Sequence, residues 1–229
     1  MPRVRNRHTR KRKRIFGGNH AIPTFHVVIV SGGRETLKEM IESLRDELKV
    51  GDALTIIYDG RSAKKNSGYT DEWIANMNCA VHVKEQIPGL KFFGHLTLNK
   101  YIPLLQPRTT FMMFADDDDT YVKGSFDVLR RKCSDPRTLY IAKFIYSANE
   151  SLIPSPGTKM IIKNNIGKPN GIVPFGDAGK AVFGTVVTGD YEYYRDLQDK
   201  VAKVVFLDDI IYRVGKDIGN VSNGNVNKK

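Results

Sequence analysis

Cysteine is scarce in this sequence. Only Cys79 and Cys133 occur in 229 residues, beside a single tryptophan, Trp73. Two thiols make neither a zinc site by themselves nor the disulfide framework of a small secreted domain. Long hydrophobic runs are missing too. No stretch approaches the ~20 apolar residues of a membrane span, and Ile15-Phe16-Gly17-Gly18 is no signal-peptide core. No acid precedes Glu35. Over the same region Arg3, Arg5, Arg7, Arg10, Lys11, Arg12, Lys13 and Arg14 supply eight positive charges, so the formal +11 of the chain leaves only +3 for the rest.

These features divide the chain into a basic disordered arm over 1–23, one domain over 24–218 and a flexible polar tail over 219–229. An arm of this kind offers nonspecific attraction to anionic surfaces through residues 3–14, whether nucleic acid or the face of a membrane, or serves as a nuclear address. The expected protein is soluble and cytoplasmic, with nuclear or peripheral membrane association left to the arm.

The body alternates strands and helices. Phe25 to Val30 is a short, β-branched run, the pattern of a buried strand. Leu37, Met40, Ile41, Leu44 and Leu48 then fall on one face of a helix. Ala53 to Tyr58 is a second strand and Ala80 to Lys84 a third. A helix over Leu90 to Leu105 bends or ends near Ile102 because of Pro103. Phe111 to Ala115 is a fourth strand, Gly124 to Lys132 a helix and Leu139 to Tyr146 a strand. Within the Gly-, Pro- and Asn-rich segment 149–180, Met160-Ile161-Ile162 reads as a short strand. Ala181 to Val187 reads as another strand, Tyr191 to Leu197 as a helix, and Val204 to Leu207 as a strand leading into a helix that carries Arg213. A strand–helix–strand start of this kind argues a parallel sheet with right-handed crossovers.

Four consecutive carboxylates, Asp116, Asp117, Asp118 and Asp119, follow the apolar strand at Ala115. Burying them together without counter-charge would cost several kcal/mol or force protonation. The carboxyl end of a strand is also where open α/β sheets bind ligands. Hard oxygen ligands there suit Mg²⁺ or Mn²⁺. Alternation along the strand turns Asp116 and Asp118 the same way. Asp118 is the first candidate for a direct metal ligand, with Asp116 on the ion, its water or a ribose.

Four pieces in order resemble the family-2-like glycosyltransferases of GT-A fold: Val27-Val28-Ile29-Val30-Ser31-Gly32-Gly33-Arg34, Ile56-Ile57-Tyr58-Asp59-Gly60-Arg61-Ser62, Phe114-Ala115-Asp116-Asp117-Asp118-Asp119 and Phe206-Leu207-Asp208-Asp209. A weaker resemblance is to the small glycosyltransferases of large algal viruses. The resemblance implies a single α/β domain with a mostly parallel central sheet and helices on both faces. It implies a metal-dependent hexosyl- or deoxyhexosyl-transferase, using Mn²⁺ or Mg²⁺, that moves a sugar from a nucleotide diphosphate donor such as a UDP-sugar to a glycan or glycoprotein hydroxyl, with inversion. It places Ser31, Gly32, Arg34, Asp59, Arg61, Asn99, Lys100, Asp116 and Asp117 around the nucleotide, and Asp118 and Asp116 on the metal. It makes Asp209, or else Asp208, the base. Lys64 and Lys65 are further phosphate candidates, His95 a donor contact, and Trp73, Tyr146, Asn149 and Glu150 sugar contacts. The alternatives are a nucleic-acid-binding protein working through the arm and a nucleotidyltransferase that forms the nucleotide sugar. The first needs no metal. The second usually opens with a longer glycine-rich loop than Ser31-Gly32-Gly33-Arg34.

Overall fold

A computed structural model describes residues 21–66, 70–90, 92–106 and 108–215. The basic residues Arg3 to Arg14 and the tail from Gly219 lie outside the described residues. The strands are β1 (Phe25–Ser31), β2 (Ala53–Asp59), β3 (Ala80–Gln86), β4 (Phe111–Asp116), β5 (Thr120–Tyr121), β6 (Thr138–Tyr146), β7 (Leu152–Ile153), β8 (Gly171–Pro174) and β9 (Lys203–Val214). The helices are α1 (Leu37–Arg45), α2 (Ala63–Asn66), α3 (Thr70–Ile74), α4 (His95–Tyr101), α5 (Ser125–Lys132) and α6 (Gly189–Gln198).

All seven residues of β1 are buried because both faces of the strand are covered. Phe25, Val27 and Ile29 point into one core with Leu37, Met40, Ile41 and Leu44 of α1 and Phe126 and Leu129 of α5. Val28 and Val30 point into a second core with Leu98 of α4 and Tyr193, Tyr194 and Leu197 of α6. One sheet between two helical layers is the result, and a strand with apolar residues on both faces is its sequence signature.

The strand order is β3-β2-β1-β4-β8-β6-β9-β5, with β7 on β6. The first four strands are parallel to one another. Beyond β4 the sheet turns mixed: β8 is antiparallel to β4 and β6, and β7 to β6. Strand β9 runs parallel to β6, and β5 antiparallel to β9. The expectation of a mostly parallel sheet therefore holds for the first half of the chain only.

Other elements differ as well. The expected strand at Met160-Ile161-Ile162 is absent, and pairing there goes instead to β7 and β8. Ala181 to Val187 is an irregular loop. The expected helix after Leu207 is the second half of β9, which pairs along β6 to Val214. Two extra β9 residues bulge out between the pairs Ile141–Phe206 and Lys143–Ile210, and Asp208 and Asp209 lie in that bulge. The helix near Pro103 ends at Tyr101, and a 3₁₀ turn takes Ile102–Leu104. Among the described residues, no helix is long and apolar enough to cross a membrane.

Candidate active site

The carboxyl ends of β1, β2 and β4 open into a cleft of about 480 Å³. β1 delivers Gly32 and Arg34, β2 delivers Asp59, and β4 delivers Asp116, Asp117 and Asp118. Gly33 turns the chain sharply after β1. Its φ is +88°, and a Cβ there would stand 2.2 Å from the Ala63 carbonyl oxygen, so only glycine fits. The four aspartates fill the crossing from the end of β4 to the start of β5, which pairs with the far strand β9.

Each aspartate in that crossing has a partner. Asp117 accepts from the Ser31 hydroxyl at 2.6 Å and from Arg34 at 2.9 Å. Arg34 also pairs with Asp118 Oδ2 at 2.6 Å. Burial works against the Arg34 charge, but Asp117, Asp118 and Asp116 outweigh it and raise its pKa. Burial raises the pKa of Asp118, and repulsion from Asp116 and Asp117 adds to the rise against the pull of Arg34. Asp119 is buried and accepts the Gly215 N–H at 2.7 Å. Burial pushes its carboxyl up to about 7.

Asp116 pairs with Lys168, a residue the sequence reading passed over. The Lys168 side chain is 4% exposed, and its ammonium also donates to the Phe93 carbonyl at 3.0 Å. Burial opposes its charge, but Asp116 and Asp190 outweigh it and raise its pKa. The signal was faint: one of four lysines in the irregular segment 149–180, distinguished only by Pro169-Asn170-Gly171 after it. Asn170 anchors that turn by donating to the Ala142 and Ile153 carbonyls.

The carboxylate set suits a divalent ion. Asp116 Oδ2 and Asp118 Oδ1 enter no ion pair among the described residues. One or two carboxylates completed by phosphate oxygens and water are the usual way to hold Mg²⁺. Among the described residues, no three His, Cys, Asp or Glu side chains form a metal-holding group by themselves.

The far wall of the cleft carries His95 and Asp190, which hydrogen-bond each other at 2.9 Å. Asp190 stands in the first turn of α6. It also lines a second cavity of about 280 Å³ with Phe144, Tyr146, Asn164 and Tyr191. The two cavities share Val187 and Asp190.

Several sequence candidates stand elsewhere. Asp208 faces solvent and pairs with Lys143 at 2.7 Å, whose hydrogen bond lowers its pKa. Asp209 pairs with Lys132 of α5 at 2.6 Å. Neither lines the cleft, and three steps of the strand order separate β9 from β4. Asn99 spends both ends of its amide on the Phe183 backbone. Lys100 donates to Gln86 at 2.6 Å, and Arg61 is exposed outside the cleft lining. Asp59 lines the cleft while accepting the Leu90 N–H at 2.7 Å. Lys64 pairs with Glu85, Trp73 packs on the core, and Asn149 and Glu150 are exposed.

No family model matches the chain, and no curated protein does. Solved structures do. The crystal structure of Staphylococcus aureus TarS 1–349 with UDP-GlcNAc is 14% identical, with a TM-score of 0.63 over 88% of this chain and 60% of that one. The mannosyltransferase PcManGT from Pyrobaculum calidifontis, solved with GDP-Man and Mn²⁺, is 10% identical, with a TM-score of 0.60 over 84% of this chain and 57% of that one. GalNAc-T7 with UDP, GalNAc and Mn²⁺ is 13% identical, with a TM-score of 0.57 over 85% of this chain and 44% of that one. The chain thus spans about 60% or less of these relatives, and identities this low speak to fold alone. The fold of the chain is GT-A-like, an α/β domain resembling glycosyltransferases solved with UDP- and GDP-sugars.

Proposed function

We propose that the protein is a glycosyltransferase that moves a sugar from a nucleoside diphosphate donor to an acceptor hydroxyl with inversion. The observation that carries this reading is Asp190, the carboxylate shared by two adjoining cavities. One cavity is rich in charge and suits a diphosphate. The other has aromatic and amide groups suited to a sugar acceptor.

The donor diphosphate lies against Arg34 and the Asp116–Asp118 edge, with the nucleoside toward Gly32 and Asp59. The acceptor enters through the second cavity, beside Tyr146 and Tyr191. Its hydroxyl oxygen forms the new bond to the anomeric carbon as the bond to the diphosphate breaks, and the electron pair leaves on the phosphate oxygen. Asp190 takes the hydroxyl proton. It replaces Asp209 and Asp208 in that role, because a base must reach the acceptor within hydrogen-bond distance. Arg34 and Lys168 place fixed positive charge beside the departing group. A divalent ion, Mn²⁺ or Mg²⁺, would be held by Asp118 and Asp116 and would supply further charge neutralisation to the leaving diphosphate.

Calorimetry with UDP, GDP and their sugars, with and without Mn²⁺, tests the donor site. The expected result is metal-dependent binding of one nucleotide that Asp118→Ala abolishes. No binding under any metal condition refutes the reading and returns attention to nucleic-acid binding by residues 3–14.

A further inference from the structure

His95 opens α4 and is buried, yet both ring nitrogens face polar atoms. Nδ1 lies 2.8 Å from the Gly184 carbonyl oxygen. A carbonyl only accepts, so Nδ1 carries a hydrogen. Nε2 is thereby left to face Asp190 Oδ1 at 2.9 Å. A hydrogen bond across that gap needs one proton. Without it, a nitrogen lone pair meets a carboxylate.

The ring cannot turn away. It stacks on Phe183 with centroids 5.4 Å apart and planes 20° apart. The loop from Gly184 to Gly189 closes on its other side. A Cβ on Gly189 would sit 2.4 Å from the Gly184 oxygen and 2.7 Å from His95 Nδ1. Gly189 is thus required by the approach of the loop to the imidazole, whereas a Cβ on Gly184 would meet the Glu192 carboxylate. Among the described residues, Asp190 Oδ2 takes no hydrogen bond.

We propose that His95 is the positioning residue for Asp190: its Nε2–H holds Oδ1 and leaves Oδ2 facing the acceptor hydroxyl. This rests on the reading of Asp190 as the base. The Nε2–H contact at 2.9 Å fixes the orientation of the carboxylate. Other charged or titratable groups around the pair are Lys168 and Tyr194, which feel the Asp190 charge, Asp116 across the cleft, and Glu192 beside Gly184. None of them stands between the imidazole and the carboxylate.

Two substitutions separate the contacts of the ring. Asparagine reaches the Nδ1 position and keeps the Gly184 contact. Glutamine reaches the Nε2 position and keeps the donor to Asp190 at every pH. His95→Asn should lower kcat about 10²-fold with little change in donor KM, whereas His95→Gln should stay within about tenfold of the wild type. Turnover of His95→Asn at the wild-type rate, or equal slowing of both variants, overturns the proposal. Nitrogen-15 NMR of the imidazole reads the pair without turnover. Nδ1 should carry a hydrogen in both proteins, and the Nε2 resonance should move in Asp190→Asn. An unmoved Nε2 resonance overturns the proposal too. If no nucleotide sugar is turned over, the transferase reading fails by itself, and the NMR comparison still decides the pair.

Discussion

The Asp116–Lys168 pair should respond asymmetrically to the loss of each partner. Lys168 has a side chain 4% exposed, whereas that of Asp116 is 37% exposed. Asp116→Ala strands an ammonium away from water, with the Phe93 carbonyl and the more distant Asp190 and Asp119 to compensate in part. Breaking a buried pair in this way costs about 3–5 kcal/mol, and the residual partners put this case near 3. Lys168→Met keeps the volume and leaves a carboxylate that water already reaches. Its cost is the lost hydrogen bond to Phe93, about 1 kcal/mol. The Asp116 N–H donates to the Tyr212 hydroxyl at 3.0 Å and is untouched by either change. For a domain of this size about 3 kcal/mol lowers Tm by roughly 6–12 °C, and about 1 kcal/mol by roughly 2–4 °C. Urea unfolding of both variants, with midpoint and slope fitted separately, measures the difference. Equal losses, or a larger loss in Lys168→Met, would refute the reasoning.

Asp190→Asn should lower kcat by about 10²–10⁴-fold while nucleotide affinity by calorimetry stays near the wild type. Asp208→Ala and Asp209→Ala should leave turnover unchanged, since their lysine partners lie outside the cleft; a steady-state comparison on the substrates found for the wild type decides this. Arg130→Ala should cost about 3–5 kcal/mol in urea unfolding, because it removes the ion-pair partner of Asp52, a carboxylate 2% exposed that also accepts the Phe25 and Lys49 N–H groups. Burial pushes the Cys79 thiol up to about 11 and the Cys133 thiol up to about 12. Neither should react with a thiol reagent at pH 8 until the protein is unfolded, when both should.

The first half of the fold was legible because its strands are covered on both faces. Such strands are predominantly apolar on both faces, and β1, β2 and β4 stand out as short runs with few polar residues. The acidic crossing after β4 was legible for the converse reason, as charge placed where an apolar strand ends. The second half was less so. Strand β9 is partly exposed and bulged, so its acidic pair reads equally well as the start of a helix. Ala181 to Val187 has the composition of a strand, yet Gly184 and Gly189 bend it around His95, and that approach leaves no local pattern. Lys168 and Asp190 meet the cleft from an irregular turn and a helix start. Only tertiary packing joins them to residues read from β1 and β4.

The order of synthesis gives the acidic crossing a further property. Its anchors lie far along the chain: the Asp116 N–H on Tyr212 and Asp119 on the Gly215 N–H are each 96 residues apart. Strands β1, β2, β3 and β4 pair with one another and need no part of β9, and Asp117 already meets Ser31 and Arg34. The Asp116 backbone and Asp119 gain their far anchors only once β9 docks and closes that long loop, a late and entropically costly step. A chain cut before β9 would therefore keep much of its first core and the Arg34 contacts, and would lose the far end of the acidic crossing.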